Sequence, residues 1–424
     1  MKFLFNKCFK LKKIKGLKNL VTYNVENMSG MFQCCNEIEI LDLSNFQTSK
    51  VNDMQYMFNE CYKLKEIKGL DKFNTNNVQS MCSMFQKCYE LESLNLSNFQ
   101  TSKVNDMKYM FNKCYKLKEI KGLEKFNTNN VENMSGMFQA CSELKSLDLS
   151  NFDTSRVNQM NYMFNVCDKL KEIKGLKKFS TNNIIDMSGM FQGCKELESL
   201  DLSNFETSKV DNMECLFNQC HKLIKIKGIE KFNTNKVVNM RGIFSELKLI
   251  EKLNLLNFDT SNVNNMESMF DECCKLKEIK GIEKFNTNNV KNMNSMFQKC
   301  YELESLNISN FNTSKVNNMS LMFNECHKLK EIKGIENFIT INVENMSGMF
   351  QECNELKSLN ISNFESLKVK DISYMFNKCD KLEYLNLSNF KLSAQCKTNN
   401  FITYSKKCNI IANDSSLYKL ININ

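Results

Sequence analysis

The sequence has no Pro and no Trp, and among its 424 residues only two are His and two are Arg. With imidazole confined to His221 and His327, His-rich metal centres and most His-based catalysis are excluded. No apolar run approaches the roughly 18–20 residues of a membrane-spanning helix. Lys is spread through residues 1–16 without the apolar stretch of a signal peptide, so no secretion signal is expected. Glycine is scarce at 13, and seven of these share one repeated position, which leaves no phosphate-binding glycine loop. There is no C-x-x-C pair, so zinc-ligand spacing is missing too. What remains is 42% hydrophobic and 25% charged, with 57 Lys+Arg against 48 Asp+Glu, an ordinary globular composition with a mild basic excess.

That composition is organised by one period. The tail Met/Leu/Ile-Phe-x-x-Cys recurs at Phe5, Phe32, Phe58, Phe85 and onward to Phe376, in alternating steps of 27 and 26 residues. Two unit types therefore form a 53-residue pair. The longer reads KLKEIKGLEKFNTNNVENMSGMFQAC (Lys116 to Cys141) and the shorter ELKSLDLSNFDTSRVNQMNYMFNVC (Glu143 to Cys167). The columns absorb the unusual residues: 15 of the 32 Phe lie in this series, 14 in a second from Phe46 to Phe390, and 14 of the 20 Cys in one column from Cys8 to Cys379. All 25 Met after Met1 fall in two columns exemplified by Met81 and Met84. Met repeated beside Phe reads as core filler rather than a soft-metal surface, and each Phe of the fifteen-member series is expected to be buried.

Within a unit, Leu91, Leu94 and Leu96 mark a short strand with Ser93, Asn95 and Ser97 facing away. Val104, Met107, Met110, Phe111 and Cys114 follow at the spacing of a short α- or 3₁₀-helix, with Thr101 or Ser102 placed to cap it. Alone, such a unit cannot bury its apolar face; stacked copies bury a continuous one. The fold class expected is an α/β solenoid of about 15 units over 1–390, one short parallel strand and one short helix per 26–27 residues, with 391–424 as a C-terminal cap or tail.

LxxLxLSNF followed by TSxVxxMxxMFxxC resembles the BspA-like leucine-rich repeats, the lipoprotein-associated type with Asn-x-Met-x-x-Met-Phe. The resemblance recurs fifteen times and covers Met1 to about Phe390. It implies a curved leucine-rich-repeat stack on a surface protein that adheres to other proteins or to host cells. The Pro usual after the strand in that family is absent here.

The Cys column is expected to hold buried free thiols. Stacked strands lie about 4.8 Å apart with parallel Cβ vectors, whereas a disulfide needs converging Cβ atoms about 3.8 Å apart. Leu247 takes the Cys place in one unit, as suits a small hydrophobe. Such thiols would suit the cytoplasm. His221 and His327 share the position after the Cys, where other units carry Tyr, Lys, Asp, Ser or Asn, so it reads as an exposed and undemanding column.

The informative surface is the strand face. Longer units supply Lys15, Lys68, Lys121, Lys174, Lys227, Lys280 and Lys333; shorter ones supply Asp42, Asn95, Asp148, Asp201, Asn254, Asn307 and Asn360. Two residues earlier, Glu66, Glu119, Glu172, Glu278 and Glu331 form a second row, in which Lys225 and Lys252 break the pattern. The stretch Lys225 to Lys333 therefore reads as the most positive part of the face. The candidate partner-binding residues of the strand face are Lys225, Lys227, Lys252, Asn254, Glu278, Lys280, Asn307, Glu331, Lys333 and Asn360. A charge ladder that only sets strand register accounts for the same rows.

No nucleophile, base and orienting group recur together, so no catalysis and no cofactor are expected. Nucleic acid is disfavoured because basic and acidic residues interleave, Arg is nearly absent and no exposed aromatic series accompanies them. The function expected is recognition of a protein partner, acidic if the Lys-rich stretch is the contact. Adhesion is the role implied by resemblance, and an intracellular scaffold and an anion- or nucleic-acid-binding array are the alternatives.

Overall fold

The computed structural model describes residues 1–403 and 408–422. Its backbone contacts divide it into two units, Met1–Lys209 with Ile226–Gly228, and Val210–Lys225 with Ile229 onward. Each is a parallel β-solenoid in which one coil of 26 or 27 residues lies on the next. In the first unit β1 (Ile40–Asp42) pairs with β2 (Glu66–Lys68), β3 (Ser93–Asn95) with β4 (Glu119–Lys121), and β5 (Ser146–Asp148) with β6 (Glu172–Lys174). It also holds β7 (Ser199–Asp201), beside which run Ile226 and Lys227 of β8 (Lys225–Lys227). In the second unit β9 (Lys252–Asn254) pairs with β10 (Glu278–Lys280), and β11 (Ser305–Asn307) with β12 (Glu331–Lys333). β13 (Ser358–Asn360), β14 (Tyr384–Leu387) and β15 (Asn409–Ala412) form a three-stranded ladder, and α1 (Ser415–Asn422) buries Leu417 and Ile421 after it. Of the expected segment 391–424, residues 404–407 and 423–424 lie outside the described residues.

Up to β12 the strands thus pair in twos, each shorter-type strand with the longer-type strand that follows. Glycine explains the grouping. Gly122 ends β4 with φ 89°, and a Cβ there would stand 2.5 Å from Ser97 Cα, so only glycine lets the longer coil close onto the shorter one before it. A single 3₁₀ turn, Leu123–Lys125, follows and carries the chain away from the next coil. Equivalent turns follow Gly16, Gly69 and Gly175 in this unit, and Gly281 and Gly334 in the other.

The helical turn expected at Val104–Cys114 lies elsewhere. That segment is a run of tight turns, because alternate N–H groups serve different partners: Met110, Asn112 and Cys114 donate to carbonyls three residues back, while Tyr109, Phe111 and Lys113 donate to Ser135, Met137 and Gln139 of the next coil. Two residues per coil adopt left-handed conformations to allow this, here Tyr109 (φ 55°) and Lys113 (φ 60°). The apolar spacing suits either geometry, and inter-coil hydrogen bonding selects the turns.

Packing follows the columns. Fourteen of the fifteen Phe, Phe32 to Phe376, are fully buried, while Phe5 is half-buried. Rings of successive coils stack, Phe32 on Phe58 at 5.8 Å and Phe58 on Phe85 at 5.5 Å between centroids. Column thiols donate to the Phe carbonyl of the coil before, Cys88 to Phe58 and Cys114 to Phe85, each at 3.1 Å. Buried threonines bridge coils as well, instead of capping a helix: Thr101 Oγ1 donates to Asn127 O and accepts from Asn127 N, both at 2.8 Å. Side-chain amides continue the theme through Gln33, Asn59, Gln86, Asn112, Gln139 and Asn165, linked at 2.8–3.1 Å. These thiols, threonines and amides are therefore paired coil to coil.

Candidate functional site

The strand face is built by alternation. In β9 to β13 the middle residue is buried and its neighbours point to solvent, so Lys252, Lys280, Glu331, Lys333, Asn307 and Asn360 are exposed, with Asn254 and Glu278 half-buried. Register brings Lys252 opposite Glu278 and Asn254 opposite Lys280 in one strand pair, and Asn307 opposite Lys333 in the next. Glu331 faces Ser305, and Asn360 faces Asn386 of β14. Lys225 opens β8 and is exposed. Lys227 belongs with the first unit, where it pairs with Asp201 at 2.9 Å.

Two features reduce the expected asymmetry between the halves of the ladder. Lys252 is not a free cation: its Nζ lies 3.0 Å from Glu278 Oε2, and this hydrogen bond holds the Glu278 carboxyl below its ordinary range. The Asp and Asn residues of the ladder are turn formers. Asp148 Oδ1 accepts from Ser150 N at 3.0 Å and Asn307 Oδ1 from Ser309 N at 3.2 Å, closing the bend after each strand. Asp and Asn serve that bond equally. Asp201, bonded first by the Ser203 hydroxyl and then by Lys227, has its pKa lowered to about 2, whereas Asp42 and Asp148 owe their lowered values chiefly to Ser44 and Ser150. Among the described residues no carboxylate lies within ion-pair distance of Lys280 or Lys333.

Two further charged rows escaped the reading of the sequence. Four shorter units carry Glu-Leu-Glu or Glu-Ile-Glu where most longer ones carry Lys-Leu-Lys, and opposite charges meet across the pairs at one or both of these places. Glu37 and Glu39 bind Lys63 and Lys65, both at 2.7 Å, and Glu302 and Glu304 bind Lys328 and Lys330, again at 2.7 Å. The signal was the opposite sign of the residues flanking the first Leu of the two unit types. A third feature is an open groove of about 730 Å³ in the first unit, where Lys12, Lys13, Lys15, Lys18 and Lys68 outnumber Glu39 and Asp42. Lys13 there replaces the second-row Glu, as Lys225 does later.

Fold and face together define a leucine-rich-repeat solenoid. The family model described as "Mycoplasma protein of unknown function, DUF285" matches overlapping segments from 1–121 to 299–415, and the chain belongs to that family. No curated protein matches the sequence. Among solved structures, the chain is similar to a leucine-rich repeat protein from Bacteroides ovatus, at 17% identity and TM-score 0.47 over 92% of this chain and 81% of that one. A leucine-rich cell surface protein from Faecalibacterium prausnitzii matches at 15% identity and TM-score 0.40, over 73% of this chain and 76% of that one. A leucine-rich repeat protein from Eubacterium ventriosum matches at 14% identity and TM-score 0.38, over 81% and 83%. No helix among the described residues is long and apolar enough to cross a membrane.

Proposed function

We propose that the protein is a non-catalytic recognition module of BspA-like type whose strand face binds an acidic protein partner, with adhesion at a cell surface as the role. An intracellular scaffold would use the same face. The observation that carries the reading is that exposed Lys280 and Lys333 face Asn254 and Asn307 across their strand pairs, where Lys68 and Lys174 face Asp42 and Asp148. Solenoids recognise partners over such extended faces, and unmatched charge accelerates encounter with an acidic surface. The test is to isolate a partner by proximity labelling and measure its association with two triple variants. K252E/K280E/K333E should abolish binding, with Lys280 and Lys333 contributing most of the effect. K68E/K121E/K174E should weaken it far less, and the wild-type on-rate should fall with salt. Equal losses from both triples would place the contact elsewhere.

A further inference from the structure

On another edge of the second unit, two successive coils bring together Glu325, His327 and Glu352. One ring nitrogen and one oxygen of each carboxylate lie within 4.8 Å of one another, and all three residues are half-buried. The arrangement around each side chain is what metal ligation uses. His327 Nδ1 lies 3.1 Å from the main-chain oxygen of Glu352, which can only accept, so Nδ1 carries the proton and the neutral ring keeps its lone pair on Nε2. The Tyr301 ring stacks on the imidazole at 4.9 Å and 4°, fixing its plane. Each carboxylate has one oxygen engaged from outside and one left over: Tyr301 Oη donates to Glu325 Oε2 at 3.4 Å, and Lys378 Nζ to Glu352 Oε1 at 2.7 Å. Metal ligands are commonly oriented by an outer layer of this kind.

The other histidine supplies an internal contrast. His221 occupies the same column, with Glu246 in the place of Glu352 but Gln219 in the place of Glu325. There His221 Nε2 pairs directly with Glu246 Oε2 at 3.0 Å, and Gln219 Nε2 donates to Glu246 Oε1 at 2.9 Å. One carboxylate with both oxygens engaged leaves no such set of free donors.

We propose that Glu325, His327 and Glu352 form a binding site for one divalent transition-metal ion, held by His327 Nε2, Glu325 Oε1 and Glu352 Oε2 with water completing the shell. One imidazole and two carboxylates suit zinc or cobalt(II), and are too few oxygens for a calcium site. Ligands of a tetrahedral ion at about 2.0–2.1 Å stand about 3.3 Å apart, so the two glutamates draw inward on binding.

The test uses the full chain, freed of metal with a chelator and titrated with zinc by calorimetry and with cobalt(II) by absorption. One ion per chain is expected, with a cobalt spectrum free of the thiolate charge-transfer band that the 20 cysteines would give. E325Q and H327Y place residues that the chain already uses at equivalent positions, Gln219 and Tyr301, so the coil is preserved. Each should weaken zinc binding roughly tenfold or more, by the scale on which even outer partners of a ligand count. H221Y should leave it unchanged, and Q219E should raise the stoichiometry to two by recreating the triad. Zinc affinity unaltered in E325Q and H327Y, a thiolate band in the wild-type spectrum, or loss of the ion in H221Y would each overturn the proposal.

Discussion

Asp271 stands in the column that elsewhere holds Asn59, Asn112, Asn165 and Asn324, and it cannot do what they do. An Asn amide donates to the Gln of the next coil, as Asn112 does to Gln139 at 2.8 Å, whereas a carboxylate offers only acceptors. Asp271 Oδ1 is buried without a partner, and burial, with Glu272 and Glu246 adding repulsion, raises its pKa to about 7. The raised value means that the folded state binds the proton more tightly than the unfolded one. Asp271 therefore weighs least on stability in acid, and its contribution is lost as pH rises from about 4 through about 7. D271N should gain on the order of 1–3 kcal/mol at about pH 8 and little at about pH 4. Denaturant unfolding at the two pH values checks this, and an equal gain at both would show that ionisation is not the cause.

At the scale of the element, the repeated glycine and the left-handed turn residues divide into two kinds. Gly122 must be glycine because a Cβ would meet the backbone of Ser97. Gly242, with φ 56°, sits where Ser268 adopts φ 53° and would meet only Cys215 Sγ at 3.4 Å and Ser245 Cβ at 3.7 Å. G122A should therefore cost roughly 1–3 kcal/mol or more, and G242A well under half of that; thermal unfolding of the two variants ranks them. This division also shows what the sequence made legible. The strands at Leu94 and Leu147, the Phe and Met columns and the 53-residue pair were readable because side-chain period and burial write them directly. The turns at Met107–Cys114 were not, because i, i+3 and i+7 spacing fits a helix equally well and left-handed Tyr109 and Lys113 carry no residue signature. The strand-face residues could be named, but not that Lys252 would be neutralised across the ladder or that Asn254 and Asn307 would close turns, since both depend on which strands pair.

For the whole molecule, the unit of assembly is the pair of coils. A shorter coil presents Glu and the longer coil after it presents Lys, as in Glu90–Lys116 at 2.5 Å and Glu92–Lys118 at 2.8 Å. The same longer coil needs the backbone of a shorter one, Ser97, beneath its glycine. A solenoid interacts mainly with nearest neighbours, so deletions test this directly. Removing residues 90–142, one full pair, joins Tyr89 to Glu143 and leaves every remaining interface of its original kind. Removing only 90–115 joins Tyr89 to Lys116 and stacks a longer coil on a longer coil. Lys116 and Lys118 then lie over Lys63 and Lys65, and Gly122 meets the coil of Gly69 in place of Ser97. Each exposed ion pair lost contributes only about 0–1 kcal/mol, so most of the penalty comes from the glycine contact and part of it from like charge. The 53-residue deletion should unfold within a few degrees of the parent, while the 26-residue deletion should unfold markedly lower and recover partly in high salt as the lysines are screened. Melting curves at low and high ionic strength separate the two contributions, and equal melting of both deletions would show that a single coil, not the pair, is the unit that stacks.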